Sequence, residues 1–134
     1  MGEGRRNYWV GAIRVGISNV ISKANAEHYL WGQQCDGWHL VKSEALSVIH
    51  ERMPPGTSEV RHYHEHSRQF FFVLEGTAEL EVAGQSQRLN AQEGIEIPPG
   101  VPHQIKNTSD QDVEFLVVSQ PPSHGDRVLA QRNG

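Results

Sequence analysis

Short segments of alternating apolar and polar residues run through most of the chain. The clearest is residues 77–82 (TAELEV), in which apolar residues alternate with glutamates. Side chains of a β-strand alternate between two faces, so the Ala, Leu and Val of this segment are predicted to face a core and the glutamates to face outward. Ala83-Gly84 follows directly and suits a tight hairpin turn into a second strand at 85–89.

Similar patterns recur on both sides of this hairpin. Ile95 and Ile97 alternate before a proline turn, and the apolar run 115–118 (FLVV) is typical of a strand buried on both faces. In the strand predicted around 46–53, one face carries His50 and the other carries Glu51. Short strands separated by turn residues every 8–12 positions predict an all-β sandwich or barrel.

Two regions depart from the strand pattern. Residues 22–29 are the one helical candidate in the core region. Residues 1–20 fit the core pattern poorly and are predicted to be an N-terminal extension, as an edge strand, a swapped arm or a disordered segment. The remaining residues, 21–134, are predicted to form a single domain, which the length of 134 residues permits.

Composition limits the partners and the compartment. The formal net charge of −4 and the pI near 6.0 argue against nucleic-acid or anionic-membrane partners. No run of the sequence reaches the roughly 18 apolar residues of a membrane span. The single cysteine, Cys35, cannot form an internal disulfide, and no convincing signal-peptide cleavage site follows the first residues. A cytoplasmic location is therefore expected.

His62 and His64 are the first candidates for metal chemistry. Two residues apart on a strand, they face the same way at about 7 Å, so two imidazole nitrogens can reach one metal ion at about 2.1 Å. The chain has eight histidines, and a pair with this spacing also arises by chance. The pair by itself therefore decides little.

A longer pattern surrounds the histidine pair and continues downstream. Its first part consists of Gly56, His62, His64, Gln69 and Gly76, and its second part of Gln92, Pro98, Gly100, His103 and Asn107. The spacing resembles the two motifs of the cupin superfamily, G-x5-H-x-H-x(3,4)-E-x6-G and G-x5-P-x-G-x2-H-x3-N. The resemblance covers about residues 40–120 and is to small single-domain bacterial cupins, including those named after mannose-6-phosphate isomerase.

This resemblance implies a double-stranded β-helix, or jelly-roll barrel, that holds one divalent transition metal. The ligands that it implies are His62, His64, Gln69 and His103. Manganese, iron, nickel and cobalt are the expected metals, and zinc stays open. Gln69 stands where the family usually has glutamate, and a neutral amide leaves the site its full +2 charge. Either Gln69 binds the metal directly, or its NH2 group hydrogen-bonds a water on the ion.

Other residues are predicted to surround the metal. Phe71 and Val73 share the strand face of Gln69 and are predicted to line the pocket, whereas Phe70 and Phe72 face outward.

Candidates for acid–base and rim roles are less specific. Glu51 and His50 are the candidates for a general base. Arg61, Glu65 and Arg68 are expected on a solvated rim, and 123–127 (SHGDR) is expected to form a structural or interface ion pair.

Two functions of different classes fit these features. The first is a metalloenzyme, of dioxygenase, lyase or isomerase type, acting on a small polar organic molecule, and the full +2 charge of the site would also accommodate an anionic one. The second is a non-catalytic, metal-dependent small-molecule binding or sensor module. A homodimer is expected in either case, because small barrels of this type expose a sheet edge and an apolar outer face.

Overall fold

The computed structural model describes residues 8–10, 13–15 and 19–131. Within these ranges the chain forms thirteen β-strands. The strands are β1 (Tyr8–Val10), β2 (Ile13–Val15), β3 (Glu27–Trp31), β4 (Cys35–Lys42), β5 (Ser47–Met53), β6 (His62–His64), β7 (Arg68–Glu75), β8 (Ala78–Val82), β9 (Gln85–Leu89), β10 (Gly94–Ile97), β11 (His103–Lys106), β12 (Val113–Gln120) and β13 (Arg127–Leu129). No helix long and apolar enough to cross a membrane occurs in the part of the chain that the structure describes.

Two antiparallel sheets form the body of the molecule. One has six strands in the order β10-β7-β12-β5-β4-β3, and the other has five in the order β13-β6-β11-β8-β9. Neighbours that are distant in sequence pair within each sheet, as β7 does with β12 and β6 with β13. This confirms the predicted all-β class and the double-stranded β-helix arrangement.

One sequence prediction is contradicted, and another falls partly outside the described residues. The predicted helix at 22–29 is wrong: a turn occupies 23–26 and strand β3 begins at Glu27, where its backbone pairs with β4. In the N-terminal segment 1–20, β1 and β2 form a two-stranded sheet of their own. The prediction for residues 1–7, 11–12 and 16–18 lies outside the described residues.

The hydrophobic core lies between the inner faces of the two sheets. The predicted alternation holds in β7, where Phe71 is 3% and Val73 0% exposed while Phe70 is 41% exposed. The run 115–118 is buried on one face only, since Leu116 and Val118 on the outer face are half-buried. The hairpin at Ala83-Gly84 is also confirmed, with φ angles of 52° and 91° that suit a two-residue turn.

Arg61 differs from the expectation of a solvated rim. Its guanidinium donates two hydrogen bonds to the carboxylate of Glu81, from Nε at 2.7 Å and Nη2 at 3.0 Å. Glu81 points away from the core as predicted, yet it is only 3% exposed because this ion pair covers it. Arg61 also donates to the carbonyl of Ala130, which fixes the chain after β13.

Asn107 holds together the loop between β11 and β12. Its side chain is 1% exposed, and Nδ2 donates to the carbonyls of Met53 at 2.9 Å and Gln111 at 2.7 Å. Its Oδ1 accepts a hydrogen bond from the backbone N–H of Ser109. The asparagine of the second sequence motif is therefore a structural residue that joins the end of β5 to this loop.

Substituting Asn107 tests that role. Asn107→Ala removes the buried hydrogen bond to the carbonyl of Met53, a second to the carbonyl of Gln111 and one from the N–H of Ser109, so the free energy of unfolding should fall by about 2–3 kcal/mol. Urea denaturation followed by circular dichroism measures the change. Asn90→Ala, in the exposed turn after β9, should change it by less than about 0.5 kcal/mol. Equal effects of the two substitutions would contradict the assignment.

Candidate metal centre

Three histidine side chains converge between the sheets. His62 and His64 point inward from β6, and His103 lies directly opposite His62 on the neighbouring strand β11. The ring centroids are 4.8 Å apart for His62 and His64, 4.6 Å for His62 and His103, and 5.7 Å for His64 and His103. One nitrogen of each ring lies within 4.8 Å of one nitrogen of the other two, so the three could hold a single metal ion.

Backbone carbonyls orient two of the three rings. His62 donates its Nδ1–H to the carbonyl of Val60 at 2.7 Å, and His103 donates its Nδ1–H to the carbonyl of Val101 at 2.9 Å. Each bond fixes the tautomer that leaves Nε2 with a free lone pair, which is the form that binds a metal.

Burial keeps the cluster neutral. His62, His64 and His103 are 5%, 5% and 0% exposed. Burial is the main cause that lowers the pKa of all three, to about 4 for His62. Near neutral pH the rings are therefore uncharged, and a cation meets no competing charge there.

Gln69 presents an amide oxygen from the opposite sheet. Its side chain is 5% exposed, and Nε2 donates to Ser119 Oγ at 3.0 Å. That bond leaves Oε1 as the free end of the amide. Among the described residues, Gln69 Oε1, His64 Nε2 and His103 Nε2 are buried atoms without a hydrogen-bond partner.

These unpartnered atoms fit a divalent cation. A buried acceptor without a partner costs roughly 1–3 kcal/mol, and in the described part of the chain the inner faces of the two sheets carry several. All are lone-pair donors of the kinds that bind transition metals, imidazole nitrogen and amide oxygen.

The residues predicted to line the pocket lie on the inner face of β7. The ring of Phe71 meets that of His103 edge-on, with centroids 5.9 Å apart, and stacks on Phe115 at 6.1 Å. Val73, two residues further, is part of the hydrophobic core. The structure thus brings Phe71 against a histidine of the cluster and places Val73 deeper in the core.

The structure separates the two candidates for a general base. His50 lies on the outer face of the six-stranded sheet, where its Nε2 and the carboxylate of Glu114 are 2.7 Å apart. It lines a shallow groove there, of about 460 Å³, with Leu40 and Leu116. Glu51 lies on the inner face, opposite the fully buried Phe115. Only Glu51 therefore faces the barrel interior.

The segment 123–127 contributes two different side chains. Asp126 accepts hydrogen bonds from the backbone N–H groups of Glu65, His66 and Ser67, and so holds the turn after β6. This agrees with the structural role expected for the segment, through backbone bonds instead of an ion pair.

Arg127 was not singled out by sequence reasoning as a neighbour of the histidines. It pairs with His64 across β13 and β6, and paired residues of an antiparallel sheet share a face. Its positive charge adds to burial in lowering the pKa of His62 and His64. The exposed guanidinium therefore lies at the edge of the histidine cluster. No local signal in the sequence pairs β13 with β6.

Among curated proteins, the chain is similar to polyketide synthase CurC of Streptomyces cyaneus, with 32% identity over 69 residues that cover 52% of this chain and 45% of that protein. It is also similar to an oxalate-binding protein of Thermotoga maritima, 29% identical over 85 residues, with 60% of this chain and 70% of that protein covered. The chain thus spans less than half the length of the CurC protein that it matches.

Solved structures show the same fold. The polyketide cyclase RemF from Streptomyces resistomycificus superposes with a TM-score of 0.74 at 19% identity, covering 87% of this chain and 88% of that chain. A cupin-domain family profile matches residues 49–119, more than half of the chain, and this range contains all three histidines and Gln69. The chain belongs to the cupin superfamily.

Proposed function

We propose that this protein is a metalloenzyme in which His62, His64, His103 and Gln69 hold one divalent transition metal. The observation that carries the proposal is the set of buried lone pairs without hydrogen-bond partners among the described residues, on His64, His103 and Gln69. Three neutral imidazoles and an amide leave the ion its full charge and leave coordination positions for a substrate oxygen.

The substrate that we propose is a small, oxygen-rich organic molecule. A bound divalent metal would supply positive charge to a carbonyl or carboxylate oxygen. The residues of the chain would do the rest: Phe71 limits access of water beside His103, and Arg127 attracts a negative group to the edge of the cluster. Manganese, iron, nickel or cobalt suit this ligand set, which contains no thiolate.

A second function, metal-dependent binding without turnover, is favoured by one finding. The Thermotoga maritima relative is named an oxalate-binding protein. A binding module needs the metal and Arg127 but no group that moves a proton or reduces a co-substrate. Metal analysis of protein purified without chelator or affinity column, followed by oxygen-uptake and product screens, separates the two functions.

Replacing one histidine of the cluster tests the metal centre. His103→Ala removes a neutral donor from an otherwise intact cluster, so the affinity for Mn²⁺ or Co²⁺ should fall by more than about 100-fold. Competition titration with a chelating dye measures it. His28→Ala, which removes a histidine from the outer face near Asp36, should leave metal affinity unchanged. Retention of affinity by His103→Ala would overturn the metal proposal.

Changing the charge at Gln69 tests whether it binds the ion. Gln69→Glu places a carboxylate beside the metal, and by Coulomb attraction it should tighten binding by about tenfold even after desolvation. Gln69→Ala should weaken binding modestly, because three histidines stay in place. The same dye competition reports both variants. An affinity equal to wild type in Gln69→Glu would show that Gln69 is not a ligand.

Oxalate, as a small dicarboxylate, probes the role of Arg127. Because its guanidinium lies at the edge of the cluster, Arg127→Gln should raise the Kd of the metal-loaded protein for oxalate by about tenfold. Isothermal titration calorimetry measures the Kd. Arg88→Gln, an exposed arginine on β9, serves as the matched control and should shift it less than twofold. Equal shifts in the two variants would remove Arg127 from the proposal.

A further inference from the structure

A second polar cluster lies inside the barrel, on the sheet opposite the histidines. It consists of Tyr29 on β3, His39 on β4 and Glu51 on β5, which share the inner face of the six-stranded sheet. The rings of Tyr29 and His39 are in contact, with centroids 5.0 Å apart. His39 Nδ1 is another buried atom that has no hydrogen-bond partner within the described part of the chain.

Tyr29 and Glu51 form the centre of this cluster. The Tyr29 hydroxyl donates a hydrogen bond to Glu51 Oε2 at 3.2 Å. Gly37 lies between them in the sheet, paired with both residues. A Cβ at position 37 would overlap the Tyr29 ring, so only glycine lets the phenol cross β4 to reach the carboxylate.

Glu59 brings a second carboxyl group to the same region. Its Oε2 accepts a hydrogen bond from the backbone N–H of Ile105 at 3.2 Å. Burial, and then the charge of Glu51, raise the pKa of Glu59 to about 8. Burial also raises the pKa of Glu51 to about 7, against the lowering effect of the Tyr29 hydrogen bond. The two carboxyl groups therefore bind protons near neutral pH, which solvent-exposed glutamates do not.

A purely structural carboxyl in this position would differ in its surroundings. Structural buried glutamates pair with a cation, as Glu81 does with Arg61. Glu51 instead has the Tyr29 hydroxyl as its partner, with His39 on β4 and the apolar Phe115 on β12 beside it. Cys35 and Glu59 also lie near Glu51, and the positive charges of Arg52 and Arg127 act on those two groups. A carboxyl held in this way changes its protonation at small cost, as an acid–base catalyst must.

We propose that Glu51 exchanges protons with a carbon acid bound in the barrel. Tyr29, whose ring packs on Gly37, positions the carboxylate of Glu51. The inference rests on the proposed function, because the substrate's carbonyl would bind at the histidine cluster. The substrate class is a 2-oxo or 3-oxo acid, in which a C–H group lies next to a carbonyl.

The proton-transfer step needs no oxidant or further reactant. Glu51 carboxylate removes the proton from the carbon next to the carbonyl, and the electron pair of the C–H bond forms a C=C bond while the carbonyl electrons move to its oxygen. The proton on Glu51 then returns to the same carbon or to another carbon of the substrate. Exchange with solvent or isomerisation results, with atoms and charge in balance.

The first test measures the protonation of Glu51 directly, in metal-free protein. With ¹³C-carboxyl-labelled glutamate, the signal missing in Glu51→Gln identifies the residue and should titrate near pH 7. Tyr29→Phe removes the hydrogen bond to the ionised form and should raise this midpoint by about one unit. Gly37→Ala, which displaces the ring, should shift it in the same direction. Titration of Glu51 near its ordinary value, or a midpoint that Tyr29→Phe does not move, would overturn the inference.

The second test measures proton exchange. Protein with its metal content determined is incubated in D₂O with pyruvate or acetoacetate, and deuterium uptake is followed by mass spectrometry. Glu51→Gln should slow the protein-dependent exchange at least tenfold, and Tyr29→Phe should move its pH midpoint upward together with the carboxyl titration. Glu44→Gln, in the exposed loop before β5, should have no effect.

The outcomes of the two tests separate this inference from the metal proposal. A Glu51 that titrates near pH 7 in protein that binds metal but exchanges neither probe would overturn the proton-transfer role and leave the metal centre standing. Failure to bind metal would overturn the proposed function, while the titration in metal-free protein still reports on Tyr29 and Glu51.

Discussion

The pairing of β6 with β11 is the constraint on which the rest of the interior depends. It sets His62 directly opposite His103, and the two-residue period of β6 adds His64 on the same face. A slip of one residue in this short strand would turn both of its histidines outward. β13 pairs with the other edge of β6, and the turn held by Asp126 limits such a slip.

The chemical character of this interior comes from buried imidazole nitrogens and an amide oxygen that have lone pairs but no hydrogen-bond partner among the residues that the structure describes. Two of the histidines direct their protonated nitrogens to backbone carbonyls, and Gln69 directs its NH2 group to Ser119. The other ring nitrogens of these two histidines and the amide oxygen of Gln69 are therefore left as acceptors. Buried acceptors without partners lower the stability of the folded chain, and the metal ion that we propose would satisfy them.

The two sheets contribute different chemistry to the same interior. The five-stranded sheet carries the neutral imidazoles, and the six-stranded sheet carries the carboxyl and phenol of Glu51 and Tyr29. Burial disfavours the charged form of both kinds of group. It therefore lowers the pKa of the histidines and raises the pKa of the carboxyl groups. Both sets are consequently neutral or near their midpoint at the same pH.

The sequence by itself determined the strand pattern, the fold class and the candidates for metal binding. Period-two alternation and turn residues are local signals, and the joint spacing around His62, His64 and His103 extends over enough positions to identify the cupin motifs. The helix predicted at 22–29 failed because the strand there depends on pairing with β4, which local propensity does not contain.

Only the tertiary structure decided which polar residues distant in sequence come together. Tyr29 reaches Glu51 from 22 residues away across Gly37, and Arg127 lies opposite His64 through a strand 63 positions later in the chain. Arg61 became half of a buried ion pair with Glu81 for the same reason. These contacts arise from the order of strands in the sheets, and residues distant in sequence carry no sign of that order until the sheets have formed.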